Sequence, residues 1–164
     1  MDATTTDREV VTTRIIAASR EAVFVAWTDA SVLQRWWGPT GFSNTFHIFE
    51  LKPEGIWEFT MHAPDGSDFN NTCIFKRIEE PTYLEFDHLK EMHFYKAMVK
   101  FTEVPNGTHI EWTMRFSTVE ELQPISKFIE QANNENMDRL QALLCERETS
   151  HSNPVRAGNF PPQP

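Results

Sequence analysis

Three polar residues on otherwise apolar faces are the candidates for chemistry in this chain: Asn71, His88 and Asn133. Histidine titrates near neutrality and acts as a general base where a substrate proton lies within reach. An amide buried without partners costs about 1–3 kcal/mol, so Asn71 and Asn133 need a protein group, an ordered water or a ligand to satisfy them. His88 with Asn71 is the one base-and-donor pair to nominate, and the amides can equally orient the polar end of an apolar ligand. Cys73 would be a nucleophile beside His88 only if its thiol were activated, and a thiol on a buried strand is inert as a rule.

The other histidines, His47, His62, His93, His109 and His151, are scattered and form no His-x-x-x-His spacing, and the two cysteines form no Cys-x-x-Cys. No metal site is expected from such a pattern. The chain also lacks a Gly-x-Ser-x-Gly elbow, a Gly-x-Gly-x-x-Gly loop and a phosphate loop. Nucleotide, nicotinamide and common hydrolase chemistries therefore have no support, no cofactor is expected, and no catalytic residue is assigned.

These residues need elements to position them. The chain has 164 residues, enough for one domain and for a core that needs no disulfide or metal. Thirteen Phe and five Trp against two Tyr make a bulky apolar aromatic supply, suited to a core or to a cavity wall. The net charge of −9 argues against nucleic acid and anionic membranes as partners. The polar, acidic opening does not read as a signal peptide, and no apolar run approaches the roughly 20 residues of a membrane span. A cytoplasmic protein is the expectation, with Cys73 and Cys145 as free thiols.

Residues 1–8 read as a disordered leader, 9–149 as a single domain and 150–164, rich in Pro, Asn and Gly, as a disordered tail. Val10 to Ala17 reads as a strand, and Ser19 caps a short helix. A second short helix starts at Ser31, with Gln34 completing a capping box, and stops at Trp36-Trp37-Gly38-Pro39. Six strands follow: Phe46, Ile48 and Leu51 mark the first, and Trp57, Phe59 and Met61 share one face of the second. Pro105-Asn106-Gly107 is a hairpin signal before the last. Thr118 with Glu121 opens a long helix to about Glu148, divided near Pro124, whose apolar stripe is interrupted at Asn133-Asn134-Glu135-Asn136. A sheet with one apolar face must cover it, and one helix over a curled sheet leaves a hollow at one end.

Arg14-Ile15-Ile16-Ala17-Ala18-Ser19-Arg20-Glu21-Ala22-Val23-Phe24, Trp27-Thr28-Asp29, Leu33 and Trp36-Trp37-Gly38-Pro39 resemble the homologues of the activator of the 90-kDa heat-shock ATPase. Gly55-Ile56-Trp57-Glu58-Phe59, Asp65-Gly66, Gly107-Thr108 and Met137-Asp138-Arg139-Leu140 fit the same family, over roughly residues 10–145. The resemblance implies a helix-grip fold of the class α+β. In it a curved antiparallel sheet of six or seven strands surrounds a long C-terminal helix, as in START lipid-transfer domains, polyketide cyclases and plant pathogenesis-related proteins. Two positions depart from the family pattern: Ala132-Asn133 stands where members often carry Gly-Trp, and Cys73 where they often carry Gly.

On that fold, alternation places Trp57 and Phe59 inward, with Phe69, Asn71, Cys73 and Phe75 from the next strand. Leu84, Phe86 and His88, then Trp112 and Met114, join from later strands. Trp36, Asn133 and Met137 complete the expected cavity lining from the helices. The leading expectation is a module that binds a small hydrophobic or aromatic molecule. The rival is an enzyme of the polyketide cyclase or hydratase kind, which requires His88 to face inward. A third reading is a stress-related module docking on a chaperone or another protein, which an exposed patch at Trp36 and Trp37 would favour. Homodimerisation through an edge strand stays open.

Overall fold

Period-two alternation makes strands that are wet on one face and dry on the other, and seven of them pair into one antiparallel sheet. The computed structural model describes residues 7–89 and 94–152. Strand β1 (Glu9–Ile16) leads through helices α1 (Arg20–Thr28) and α2 (Ala30–Trp36) to β2 (Ser43–Phe49) and β3 (Ile56–His62). Then come β4 (Asp68–Glu79), β5 (Tyr83–Leu89), β6 (Phe94–Val104) and β7 (Gly107–Phe116). A short helix α3 (Val119–Leu122), a 3-10 turn over Gln123–Ile125 and the long helix α4 (Ser126–Ser152) follow. Strands β2 to β7 form a meander and β1 adds to β7, giving the order β1-β7-β6-β5-β4-β3-β2. This is the helix-grip arrangement.

Local chemistry accounts for most boundaries. Ser19 accepts from the Ala22 N–H at 3.1 Å and Thr118 from the Glu121 N–H at 3.1 Å, so both act as N-caps. The second helix is capped by Asp29 rather than Ser31. The Asp29 carboxylate accepts from the Ser31 N–H at 3.0 Å and the Ser31 hydroxyl at 2.7 Å, so the helix starts earlier than the capping box implies. Pro105 and Asn106 alone separate β6 from β7, and Pro124 sits in the 3-10 turn that divides α3 from α4.

Two β-bulges shift the alternation. The register slips between Phe46 and Ile48, so Phe46 and Phe49 pack inward while Ile48 and Leu51 are exposed, contrary to the simple count. A second slip between Phe75 and Arg77 moves the inward set of β4 from Cys73 and Phe75 to Ile78. Each extra residue bends its strand and increases the local twist, which helps curl the sheet around the helix.

Helix α4 passes closest to β1, where Arg14 reaches it through Gln141 Oε1 at 2.9 Å and Asp138 Oδ1 at 3.0 Å. Its stripe of Met137, Leu140, Leu143 and Leu144 is buried. Away from β1, aromatic rings fill much of the space between helix and sheet. All five tryptophans form one connected cluster: Trp27 meets Trp36 at 4.9 Å and Trp112 at 5.2 Å, and Trp37 meets Trp57 at 5.5 Å. Edge-on and offset ring pairs of this kind add to the burial term.

The expected leader and tail lie mostly outside the described residues. Within them, Arg8 is tied to β7, its Nη1 donating to the Phe116 carbonyl at 2.8 Å, and α4 runs on to Ser152. Among the described residues no helix is long and apolar enough to cross a membrane.

Candidate functional site

The hollow expected between sheet and helix is present as a cavity of about 150 Å³, partly open to solvent. Its floor is the inner face of the sheet, with Phe59 and Met61 from β3, Asn71 from β4 and His88 from β5. Tyr95 from β6 and Trp112 and Met114 from β7 complete that side. Its roof is α4, through Ile129, Ala132, Asn133 and Asn136, and its lip is Trp37-Gly38-Pro39.

The lip is built with care for backbone geometry. Helix α2 ends at Trp36, and Gly38 adopts φ +104°, a conformation that side-chain-bearing residues rarely take. The turn lays Trp37 inward, 5.6 Å from Trp112. Helix α4 then fastens the loop. Arg139 Nη1 donates to the carbonyls of Gly38 and Pro39, and Glu135 Oε1 accepts from the Thr40 N–H at 3.2 Å and its hydroxyl at 2.9 Å.

Six of the eleven predicted lining residues come together on the wall: Phe59, Asn71, His88, Trp112, Met114 and Asn133. The other five do not. Trp36 turns into the core, where its indole N–H donates to the Ala26 carbonyl at 3.0 Å. Trp57 stacks on Phe59 at 4.6 Å and is covered by Trp37. Cys73, Phe86 and Met137 are likewise buried away from the cavity. Phe69, also expected inward, is 46% exposed beside Phe42 at the start of β4. Trp37, Met61, Tyr95 and Asn136 were not foreseen as lining. Tyr95 could have been found from its period-two spacing to buried Ala97 and Val99, and Asn136 from its position one helical turn after Asn133.

The polar groups of the wall differ in how far the protein satisfies them. Asn71 Nδ2 donates to the Phe69 carbonyl at 3.0 Å, and its Oδ1 lies 2.8 Å from His88 Nε2. An amide oxygen only accepts, so Nε2 carries the proton in this bond. The His88 ring stacks on Tyr95 with centroids 4.6 Å apart and planes within 6°. Burial, with Cys73 nearby, pushes the Tyr95 phenol well above its ordinary value and keeps it neutral. Burial, with Asp87 nearby, does the same to the Cys73 thiol, which removes it as a nucleophile. Asn136 Oδ1 and Trp112 Nε1 are buried without a hydrogen-bond partner. Each such group costs about 1–3 kcal/mol.

Two other features bear on the choice of site. A larger groove of about 460 Å³ lies among Arg20, Arg77, Glu79 and Lys100. Its lining is charged and its Arg77 is already paired with Glu79 at 2.6 Å, so the largely apolar cavity between sheet and helix is the better ligand site. On the outer face, Thr45 Oγ1, His62 and Asp68 form a hydroxyl–imidazole–carboxylate chain of 2.7 and 2.8 Å. None of the three lines the cavity. Among the described residues no three His, Cys, Asp or Glu side chains gather as a metal-ligand set.

Comparison with known proteins agrees with this architecture. The family described as Activator of Hsp90 ATPase homolog 1-like protein matches residues 17–145. A solution structure from Arthrobacter aurescens is 26% identical, with a TM-score of 0.80, covering 87% of this chain and 88% of that one. A crystal structure from Nitrosomonas europaea is 16% identical, with a TM-score of 0.79, covering 87% of this chain and 97% of that one. An AHSA1-like protein from Aeromonas hydrophila is 24% identical, with a TM-score of 0.69, covering 82% and 93%. The last two likenesses show the fold alone. No curated protein matches the chain.

Proposed function

The chain belongs to the family of Activator of Hsp90 ATPase homolog 1-like proteins, and we propose that it binds a small aromatic molecule in the cavity between sheet and helix. The observation that carries the reading is the cavity wall itself. Rings and thioethers of Trp37, Phe59, Trp112, Met61 and Met114 make it apolar, and a few amides and one imidazole interrupt it. Ligand sites have this composition. At about 150 Å³ the space matches a single aromatic ring and falls short of the roughly 300 Å³ at which drug-sized pockets begin. That volume favours one-ring compounds over flavonoids and acyl chains.

The enzyme reading has less support. His88 does face inward, but Asn71 is engaged by His88 on its oxygen and by Phe69 on its nitrogen, and Cys73 stays a thiol. The chaperone-docking reading loses the surface that would have favoured it, because Trp36 and Trp37 are 1% and 7% exposed.

The test is a thermal-shift and calorimetric screen with one-ring compounds beside flavonoids and fatty acids. A ligand at 100 times its Kd adds about 2.7 kcal/mol of stability. Binding should also alter tryptophan fluorescence, because Trp37 and Trp112 form the wall. One-ring compounds that leave both the melting temperature and the fluorescence unchanged would overturn the proposal.

A further inference from the structure

We propose that Thr45, His62 and Asp68, on the outer face of the sheet, form an acyl-transfer site that hydrolyses small esters with a good leaving group. The site shares no residue with the cavity, so the inference is independent of the receptor reading above.

Three strands bring the residues together. Asp68 opens β4 directly opposite His62 at the end of β3. Thr45 of β2 stands opposite Thr60, which makes it a diagonal neighbour of His62. His62 Nδ1 lies 2.8 Å from Asp68 Oδ1, and His62 Nε2 lies 2.7 Å from Thr45 Oγ1. A carboxylate only accepts, so Nδ1 carries the proton of the neutral ring. Nε2 is then bare and accepts from the Thr45 hydroxyl. This is the tautomer and orientation in which an imidazole serves as general base toward a hydroxyl nucleophile.

A neighbouring hydroxyl on the same face is set differently. Thr60 Oγ1 donates to Asn70 Oδ1 at 2.7 Å, so its one proton is spent and it accepts from His47 Nε2 at 2.8 Å. Thr60 is also buried, whereas Thr45 is exposed. Of these two hydroxyls, only that of Thr45 is aimed at a ring nitrogen whose opposite side is held by a carboxylate, and only it is open to a substrate.

The reaction needs no co-reactant beyond water. Thr45 Oγ1 bonds to the acyl carbon as its proton passes to His62 Nε2. The bond from that carbon to the leaving oxygen then breaks, and the leaving oxygen takes the proton. Water attacks the acyl-threonine and gives a proton to Nε2; the carboxylic acid leaves as Thr45 Oγ1 recovers that proton. Thr45 and Asp68 are exposed, and a wet site stabilises an oxyanion weakly. That restricts the substrates to activated esters.

Hydrolysis of p-nitrophenyl acetate, followed by mass spectrometry of the acid-quenched protein, tests this. An acetyl group should be trapped on the peptide carrying Thr45, and Thr45→Ala and His62→Ala should each lower the rate by about tenfold or more. Asp68 is a positioning residue: Asp68→Asn should lower the rate with the circular dichroism spectrum unchanged, and Asp68→Glu should restore part of it. Thr45→Ser should keep the activity, as should His109→Ala, the control for catalysis by any surface imidazole. An unacetylated Thr45, a wild-type rate in Thr45→Ala or Asp68→Asn, or turnover no faster than with an equal concentration of free imidazole would overturn the inference and leave the receptor reading standing. If a variant does not fold, acetylation of Thr45 in the wild type decides.

Discussion

His88 Nε2 and Asn71 Oδ1 lie 2.8 Å apart on the inner face of the sheet, on adjacent strands but not directly opposite each other, since His88 pairs in register with Cys73. A diagonal neighbour of this kind is within reach of a long side chain. The bond joins two buried polar groups on the wall of an apolar cavity. Removing either partner strands part of the other. Asn71→Ala is expected to cost about 1–3 kcal/mol. Urea unfolding of Asn71→Ala, His88→Ala and the double variant would show coupling. Additivity to within about 0.5 kcal/mol would mean that the bond contributes nothing.

Strands β5 and β6 share an acid-sensitive contact on the opposite face. Burial raises the Glu85 carboxyl, but hydrogen bonds from Lys96 Nζ at 2.9 Å and the Tyr83 hydroxyl at 2.7 Å outweigh it and hold the group below its ordinary value of 4.5. A depressed folded-state pKa contributes stability that is present above pH 4.5 and lost as pH falls through the folded value. The melting temperature should therefore fall below pH 4.5, and Glu85→Gln should flatten that acid limb relative to its own value at pH 7. An identical acid limb in the variant would remove Glu85 as a contributor.

The two thiols should react at very different rates. Cys145 is exposed, while Cys73 is 1% exposed with its thiol pushed up by burial. A chromogenic disulfide reagent at pH 8 should find one fast thiol per chain and a second only on unfolding. Two fast thiols in the folded protein would contradict the inward placement of Cys73.

Gly107 closes the hairpin at the point where β7 passes under the end of β1. It adopts φ +146°, and a Cβ there would sit 2.1 Å from the Ile16 carbonyl oxygen. Gly107→Ala is thus expected to destabilise by more than about 1 kcal/mol, as chemical denaturation would measure. Wild-type stability in the variant would contradict so close an approach of β1 to β7 at Gly107.

Several features were legible without coordinates because their causes are local. Ser19 and Thr118 cap helices through their own hydroxyls, Pro105-Asn106 turns a hairpin, and Pro124 breaks a helix. Period-two alternation placed Phe59, Asn71, His88, Trp112 and Met114 on the inner face. Counting failed where the backbone added a residue. The bulges at His47 and Lys76 put Phe49 and Ile78 inward, and nothing in the residue types marks a bulge. At the second helix, Asp29 and Ser31 are both good caps, and the chain uses the earlier one.

The sequence by itself thus determined the order of the elements, the antiparallel sheet and the long covering helix, because periodicity and capping act over a few residues. Only the tertiary structure decided which inward residues are core and which are cavity wall. Trp36 and Trp37 are neighbours of one type, yet the left-handed turn at Gly38 sends one into the core and the other over the cavity. Asn133 and Asn136 lie against a hollow because α4 packs nearest β1 and leaves space farther along the sheet. The gap between two elements depends on how all their side chains pack at once, and no short stretch of sequence encodes that distance.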